Sequence, residues 1–369
     1  MKLTYLSHAE IPSRKAHSVH IMKMCSAFSA ENIEVDLIVA NNNNNKSQAS
    51  ENPYEFYSVE PDFSIQNVKW FSSLPGKYYL FGLMSALKSV RLKPNLVYGR
   101  FLFGVWGALI LGKNVVFEAH SDLFNRDTLH HRMSSHLVTS KRCKGIVVIS
   151  QALKKAWVDE FPDVEPKIHV AHDGADSRAK TSDFSFKTEN TTVAYAGSMQ
   201  RGKGMELIAE LIPLCPDIKF VIAGGSDEEV RNWKQKIGQQ PNVDFKGFIP
   251  HSDVQRVLSD ADILLAPFQE HVNVGEEISR WMSPLKIFEY MAANRPVICS
   301  DLPVLREVLE NGNNALLVPG DEPMKWKAAI EELINQPQKA EQLATNGFNE
   351  FVDKYTWRSR ARKVLEFIS

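Results

Sequence analysis

The 369-residue sequence predicts an α/β protein built from two doubly wound parallel sheets. Three observations carry this. Short apolar β-rich runs alternate with helical patterns almost from end to end, the signature of parallel strands covered on both faces by helices. The chain is longer than a single hydrophobic core usually grows. A polar stretch without core periodicity, Asp176–Thr192 (DSRAKTSDFSFKTENTT), separates two halves, and each half has enough strands for its own sheet.

In the first half the expected strands are Lys2–Leu6, Val35–Ala40, Leu96–Tyr98, Val115–Ala119, Ile146–Ile149 and Ile168–Ala171, with helical patterns over Ser18–Ala30 and Tyr78–Leu92. Asn41–Asn45 reads as a loop tip. Phe101–Gly112 is the most apolar window. Its length makes about 18 Å of helix, short of a ~30 Å hydrocarbon core, so it reads as a buried helix. In the second half the strands are Val193–Ala196, Lys219–Ala223, Val243–Phe245, Ile263–Ala266, Val297–Ser300 and Ala315–Val318. Helices are expected over Gly204–Leu211, Asp227–Gly238, Asp253–Leu258, Pro284–Ala293 and Pro303–Leu309, and from Ala340 to the end.

Composition excludes several classes. Charge is nearly balanced, with 43 Lys+Arg against 44 Asp+Glu, so nothing global points to nucleic acid. Glycine and proline usage is ordinary, which rules out collagen-like and low-complexity chains. Cys25, Cys143, Cys215 and Cys299 lie far apart without metal-like spacing and read as isolated thiols of a reducing compartment. Met1–Ser7 is a short strand-like run that soon meets Arg14 and Lys15, not the longer apolar stretch of a secretory leader. A cytoplasmic location is expected. Locally the charge is uneven. Residues 1–170 carry a net +5, residues 171–369 a net −6, and Ser64–Val158 holds 14 basic residues against Glu118, Asp122 and Asp127. Such a basic half points to an anionic surface or substrate.

Two motifs carry chemistry. After the strand ending at Ala196 comes Gly197-Ser198-Met199-Gln200-Arg201-Gly202-Lys203-Gly204, then an apolar-periodic helix. Glycines allow close backbone approach, the helix N-terminus offers free N–H groups, and Lys203 suits a phosphate. The second motif is Ser283-Pro284-Leu285-Lys286-Ile287-Phe288-Glu289-Tyr290-Met291-Ala292. Ser283 is a good N-cap and Pro284 suits the first helical position. The amides of Leu285 and Lys286 then face out of the helix end. Glu289 lies one turn on, roughly 6 Å along the axis, placed to accept sugar hydroxyls while the helix end holds a phosphate. A nucleoside diphosphate presents its groups in that order.

With Phe220–Gly225, Val243–Phe248, Ala261–Pro267, Pro296–Asp301 and Asn311–Val318, these motifs make a series that resembles the C-terminal domain of the retaining, nucleotide-sugar-dependent glycosyltransferases of family 4, the group 1 type with the GT-B fold. Ser18–Ala30, Glu118-Ala119-His120 and His172–Asp176 resemble the acceptor domain of that family. The resemblance implies two Rossmann-like domains facing a central cleft. Their expected limits are 1–175 for the acceptor domain, 176–192 for the linker and 193–350 for the nucleotide-sugar domain, with 351–369 a helix crossing back to the first domain. It implies that Lys203 binds the donor diphosphate, Glu289 holds the ribose hydroxyls, and His120 faces the donor sugar, these three forming the catalytic set. The backbone of Gly197, Ser283, Leu285 and Lys286 would meet phosphate or sugar, and Phe248 and Ile249 would border the base. In place of the paired glutamate eight residues before Glu289 stands Trp281, as in a variant branch with Ser-Pro-Leu-Lys; Glu276 and Glu277 are nearby candidates for its role. Where the family often has Arg after the loop glycine, Ser198 stands, with Arg201 as a substitute cation.

The implied activity is transfer of a sugar, with retention, from a nucleotide-diphosphate donor to a glycan or polyprenyl-diphosphate-linked acceptor, in surface polysaccharide or glycolipid biosynthesis. No cofactor and no required metal are expected, since cations would take a metal's place. The basic first half, with Tyr78–Phe81 beside Lys77 and Lys88, points to peripheral attachment on the anionic inner face of the cytoplasmic membrane. The competing readings are a sugar-nucleotide-binding or scaffolding protein without catalysis, and a sugar-nucleotide epimerase of the same two-domain shape.

Overall fold

The computed structural model describes residues 1–41, 52–177, 184–269 and 280–369. The chain divides into two compact units, one of Met1–Asp173 with Trp357–Ser369, the other of Gly174–Thr356. Each is a doubly wound α/β sandwich, and each is described by itself.

The N-terminal unit has seven parallel strands: β1 (Lys2–Glu10), β2 (Glu34–Asn41), β3 (Ser64–Lys69), β4 (Leu96–Gly99), β5 (Val115–Ala119), β6 (Cys143–Val148) and β7 (Ile168–Val170). Their order is β3-β2-β1-β4-β5-β6-β7, which reverses between β1 and β4. The central strands are mostly apolar because helices cover both faces; Val115–Ala119 is buried from end to end, Glu118 included. β3 was not expected. Its sequence SIQNVK lacks an apolar run and buries only Val68, which an edge strand can tolerate because only one of its sides pairs, here with β2. The apolar window forms the helix Leu102–Ile110, and the expectation of full burial needs correcting. Val105 and Ala108 are buried, but Ile110 is 54% and Leu111 41% exposed. Side-chain caps start the helices Thr128–Thr139 and Gln151–Glu160: Asp127 accepts from the His130 amide and Ser150 from that of Leu153.

The C-terminal unit has six parallel strands: β8 (Thr192–Ala196), β9 (Lys219–Ala223), β10 (Val243–Gly247), β11 (Ile263–Ala266), β12 (Val297–Ser300) and β13 (Leu316–Val318). Their order, β10-β9-β8-β11-β12-β13, reverses between β8 and β11. All six lie where the sequence placed them. Of the polar stretch 176–192, Phe186 is buried in this unit's core and its amide donates to Glu341, while residues 178–183 lie outside the described residues, as do 42–45 of the asparagine tip. The expected continuous helix after Ala340 is interrupted. A helix over Pro337–Lys354 ends at Tyr355, and a new one runs over Trp357–Ile368.

That last helix belongs to the N-terminal unit, where it packs on the helix Ala16–Ser29. It carries Arg360, 2% exposed, into the unit's interior. Nη2 of Arg360 donates to Glu118 Oε1 at 2.8 Å, and its Nε donates to the His172 carbonyl at 3.0 Å. Removing one partner of a buried pair strands the other charge, at a cost of about 3–5 kcal/mol, whereas an exposed pair contributes less than ~1 kcal/mol. Arg360→Ala is therefore expected to destabilise the protein by about 3–5 kcal/mol in denaturant unfolding. On the same helix, Arg358→Ala, which removes an exposed ion pair to Glu31, should cost less than ~1 kcal/mol.

Candidate functional site

In an open parallel sheet, ligands bind beyond the carboxyl ends of the strands where the order reverses. In the C-terminal unit that point is flanked by the Gly197–Gly204 loop after β8 and by the helix Leu285–Ala292 that follows β11. The loop is tied down from within: the Tyr195 hydroxyl is 2.6 Å from the Ser198 carbonyl and 3.0 Å from that of Lys203. Gly204 ends it at φ 106°, and a Cβ there would lie 2.2 Å from the Pro267 carbonyl oxygen, so only glycine fits. Lys203 is half-buried, and desolvation pulls its ammonium below the usual lysine range.

The Ser-Pro-Leu-Lys motif differs from expectation in one respect. The helix begins at Leu285, so Pro284 occupies the cap position, extended at φ −77° and ψ 123°, and makes no side-chain cap. Ser283 is buried one residue earlier and is not the N-cap. Within the helix the first bond is from the Ile287 amide to the Pro284 carbonyl, which leaves the amides of Leu285 and Lys286 at the open end. The helix is bolted to β8 by Tyr290, whose hydroxyl accepts from the Ala196 amide at 2.8 Å. Glu289 is half-buried on the Leu285 face.

The Lys286 side chain is the feature that sequence reasoning missed. It does not reach into solvent. Among the described residues its Nζ is buried without a hydrogen-bond partner, 4.0 Å from the centre of the Tyr195 ring and 4.9 Å from that of Phe268. Burial, and then the charge of Lys203, pull it down to about 7. Among the described residues neither Lys203 nor Lys286 has an ion pair. The structure thus brings Gly197, Lys203, Leu285, Lys286 and Glu289 to one end of one sheet. Arg201 is exposed on the same loop. Phe248, 41% exposed, and Ile249, half-buried, follow β10 at that end. Trp281, in the slot of the paired glutamate, stacks under the Arg280 guanidinium at 4.4 Å. Glu276 and Glu277 lie outside the described residues.

His120 belongs to the N-terminal unit, just beyond β5. Its Nε2 is 2.9 Å from Glu118 Oε1, and burial followed by the charge of Arg100 pulls it down to about 3, so the ring is neutral. The same carboxylate faces Arg360 and His20. Nε2 of His20 is 2.8 Å from Glu118 and its Nδ1 is 2.9 Å from Asp173. Sequence reasoning missed His20 and Arg360. Glu118 is held far below the usual carboxylate range: Arg360 and His20 outweigh its desolvation. His20, His120 and Asp173 place one potential metal-ligand atom each within 4.8 Å of one another. These atoms already face one another and Glu118 at ion-pair distance, so the set reads as a compact buried cluster of ionisable groups. His120 also lines a cavity of about 460 Å³ beside the β1/β4 reversal of this unit's sheet.

Residues 176–350 match the family described as glycosyl transferases group 1, and residues 17–178 match glycosyltransferase family 4. Among curated relatives, spore coat protein SA of Bacillus subtilis is 21% identical over 68% of this chain and 71% of its own length. The O-antigen chain mannosyltransferase RfbU of Salmonella typhimurium is 26% identical over 62% of this chain and 60% of its own, so that alignment spans under two thirds of the relative. Among solved structures, Anabaena HepE in complex with UDP superposes with a TM-score of 0.73 at 15% identity, covering 99% of both chains. Sucrose-phosphate synthase from Thermosynechococcus elongatus does so with a TM-score of 0.73 at 17% identity, over 99% of this chain and 97% of its own. With two adjoining family matches spanning residues 17–350 and a doubly wound parallel sheet in each unit, this chain is a glycosyltransferase of the group 1, family 4 kind.

Proposed function

We propose that the protein transfers a sugar, with retention at the anomeric carbon, from a nucleoside-diphosphate donor held by the C-terminal unit to a glycan or polyprenyl-diphosphate-linked acceptor held by the N-terminal unit. The observation that carries this is the pair of lysines, Lys203 and Lys286, without ion pairs among the described residues, at the open end of the helix Leu285–Ala292. A diphosphate supplies the missing negative charge. As the sugar leaves, charge grows on that diphosphate, and preorganised cations and amides stabilise it most where water is excluded. Glu289 accepts the ribose hydroxyls, and a donor phosphate oxygen takes the acceptor's proton. Neutral His120 contacts the sugar, its ring held by Glu118. The lysines do the work a metal would do, so transfer needs no divalent cation. The UDP held by HepE and the O-antigen role in the name of RfbU support a sugar-nucleotide donor and a surface-glycan product.

We place the protein at the anionic inner face of the cytoplasmic membrane. Among the described residues no helix is long and apolar enough to cross a bilayer. Of the residues expected to insert, Phe81 is 2% exposed and packs in the core. The outward stripe of the helix Lys77–Arg91 is instead Tyr79, Leu83 and Leu87, 52%, 54% and 42% exposed. Each basic residue beside such a stripe, Lys88 and Arg91 among them, adds about 1 kcal/mol at an anionic surface.

Lys203→Ala and Glu289→Ala should each weaken binding of the cognate nucleotide, found by screening UDP, GDP and ADP in calorimetry. The loss should be ~1.5–3 kcal/mol, that of a charge-assisted hydrogen bond; unchanged affinity in both would remove the donor-site assignment. Lys286→Met should also lose nucleotide affinity, yet melt at a higher temperature. A lysine lowered to about 7 from 10.5 in the folded state penalises folding fully below pH 7, and the penalty fades as pH rises toward 10.5. The gain in melting temperature should therefore be largest near pH 6–7 and shrink by pH 10. EDTA should leave the transfer rate unchanged. The protein should co-sediment with anionic vesicles and be released by salt, and Leu83→Glu should abolish this without altering nucleotide binding.

A further inference from the structure

The cavity of about 460 Å³ in the N-terminal unit falls within the range of small-ligand sites and is walled by Tyr78, Phe101 and Phe103. Arg100, just after β4, projects a half-buried guanidinium into its lining, with no ion pair and no side-chain hydrogen bond among the described residues. The acids of this cavity do not neutralise it. Glu118 is taken up by Arg360 and the two histidines, and Asp127 caps a helix and faces His130 Nδ1 at 2.8 Å. Beside Arg100 stand two imidazoles. His17 is half-buried and pulled down to about 4, by desolvation and then by Arg100. His8, which reaches solvent at the cavity mouth, is lowered by partial desolvation, then by Arg100 and Lys15. Glu10 pulls the other way on His17 only weakly. The His8 ring sits 4.9 Å from Phe101 and 5.8 Å from Tyr78, centre to centre. An unpaired cation, two neutral donor–acceptor rings and an aromatic wall form one chemical address. The wall stacks a sugar face, the imidazoles reach hydroxyls, and the guanidinium grips an oxyanion through two parallel N–H bonds.

We propose that this cavity binds a phosphorylated saccharide, with Arg100 as the principal contact of its phosphate and His8 and His17 flanking it. This deepens the acceptor half of the transferase reading and rests on it. It narrows the acceptor to one that carries its phosphate next to a sugar, excluding a neutral glycan end. Arg126, exposed at the rim and without an ion pair among the described residues, extends the positive field toward a second phosphate.

The test uses the full chain and reads the side-chain NMR resonances of His8 and His17, which are remote in sequence from the lysines of the C-terminal unit. Glucose 1-phosphate should shift both resonances saturably, and glucose should bind at least tenfold more weakly. Arg100→Gln should lower the affinity for glucose 1-phosphate at least tenfold, and Arg100→Lys should recover part of it. Equal responses to glucose and glucose 1-phosphate, or an unchanged affinity in Arg100→Gln, would overturn the proposal. If that variant does not fold, salt decides on the wild type: the glucose 1-phosphate response should weaken steeply between low and high ionic strength, and a salt-independent response overturns the assignment. Farnesyl diphosphate tests the source of the phosphate. Tighter binding than glucose 1-phosphate, lost with Arg100→Gln, marks a lipid-linked ligand, and weaker binding marks a soluble one; either supports the anion site. A UDP titration of Lys203→Ala tests the donor site independently, so its failure leaves the Arg100 result standing.

Discussion

A carboxylate without solvent exposure, Glu118 at the end of β5, organises the N-terminal unit. Its Oε1 faces Arg360, His20 and His120, and its Oε2 accepts from the Tyr5 hydroxyl at 3.1 Å. An ionised carboxylate can be buried only when its lone pairs are met by donors and its charge is balanced. Here the balancing guanidinium comes from the last helix of the chain. Completing the charge pair therefore requires that the chain's final segment be in place, which gives a physical reason for Trp357–Ser369 to fold with the first 173 residues. The same bonds hold the His120 ring at the cavity, neutral beside Arg100.

The cations elsewhere are treated in the opposite way. Lys203, Lys286 and Arg100 all stand beyond the carboxyl ends of parallel strands, near a reversal of strand order, and among the described residues they make no ion pair. Burying or crowding such charges lowers stability. The shift of Lys286 toward neutrality, with its ammonium resting on Tyr195 and Phe268, shows that strain in its proton equilibrium. Buried acids, by contrast, have their partners: Glu118 meets Arg360, and Asp262 accepts from the Thr192 amide. Leaving three cations open at the two places where this architecture binds ligands is consistent with partners that bring the negative charge with them. Ring faces beside each cation, Tyr195 and Phe268 in one unit and Phe101 and Tyr78 in the other, hold positive charge or sugar without neutralising it.

Much of the architecture was legible in the sequence because it is local. Apolar runs marked all six strands of the C-terminal sheet, a glycine-rich turn before an amphipathic helix marked the Lys203 loop, and the one-turn spacing of Leu285 and Glu289 placed both on one helix face. The edge strand β3 was hidden, since a strand with one unpaired side and little burial needs no apolar pattern. Ser283 misled because Ser-Pro scores as cap and first helical turn, yet the helix starts only after the proline. The tertiary structure alone decided where side chains ended and what they met. Lys286 reads as a surface lysine until β8 brings Tyr195 beneath it. Arg100 reads as one basic residue among many until Glu118 and Asp127 are seen to be occupied. Glu118 and Arg360, 242 residues apart, form a pair that no local pattern announces. Periodicity reports which face of an element is buried; the pairing of one buried charge with another, or its absence, depends on contacts that exist only once the chain has folded.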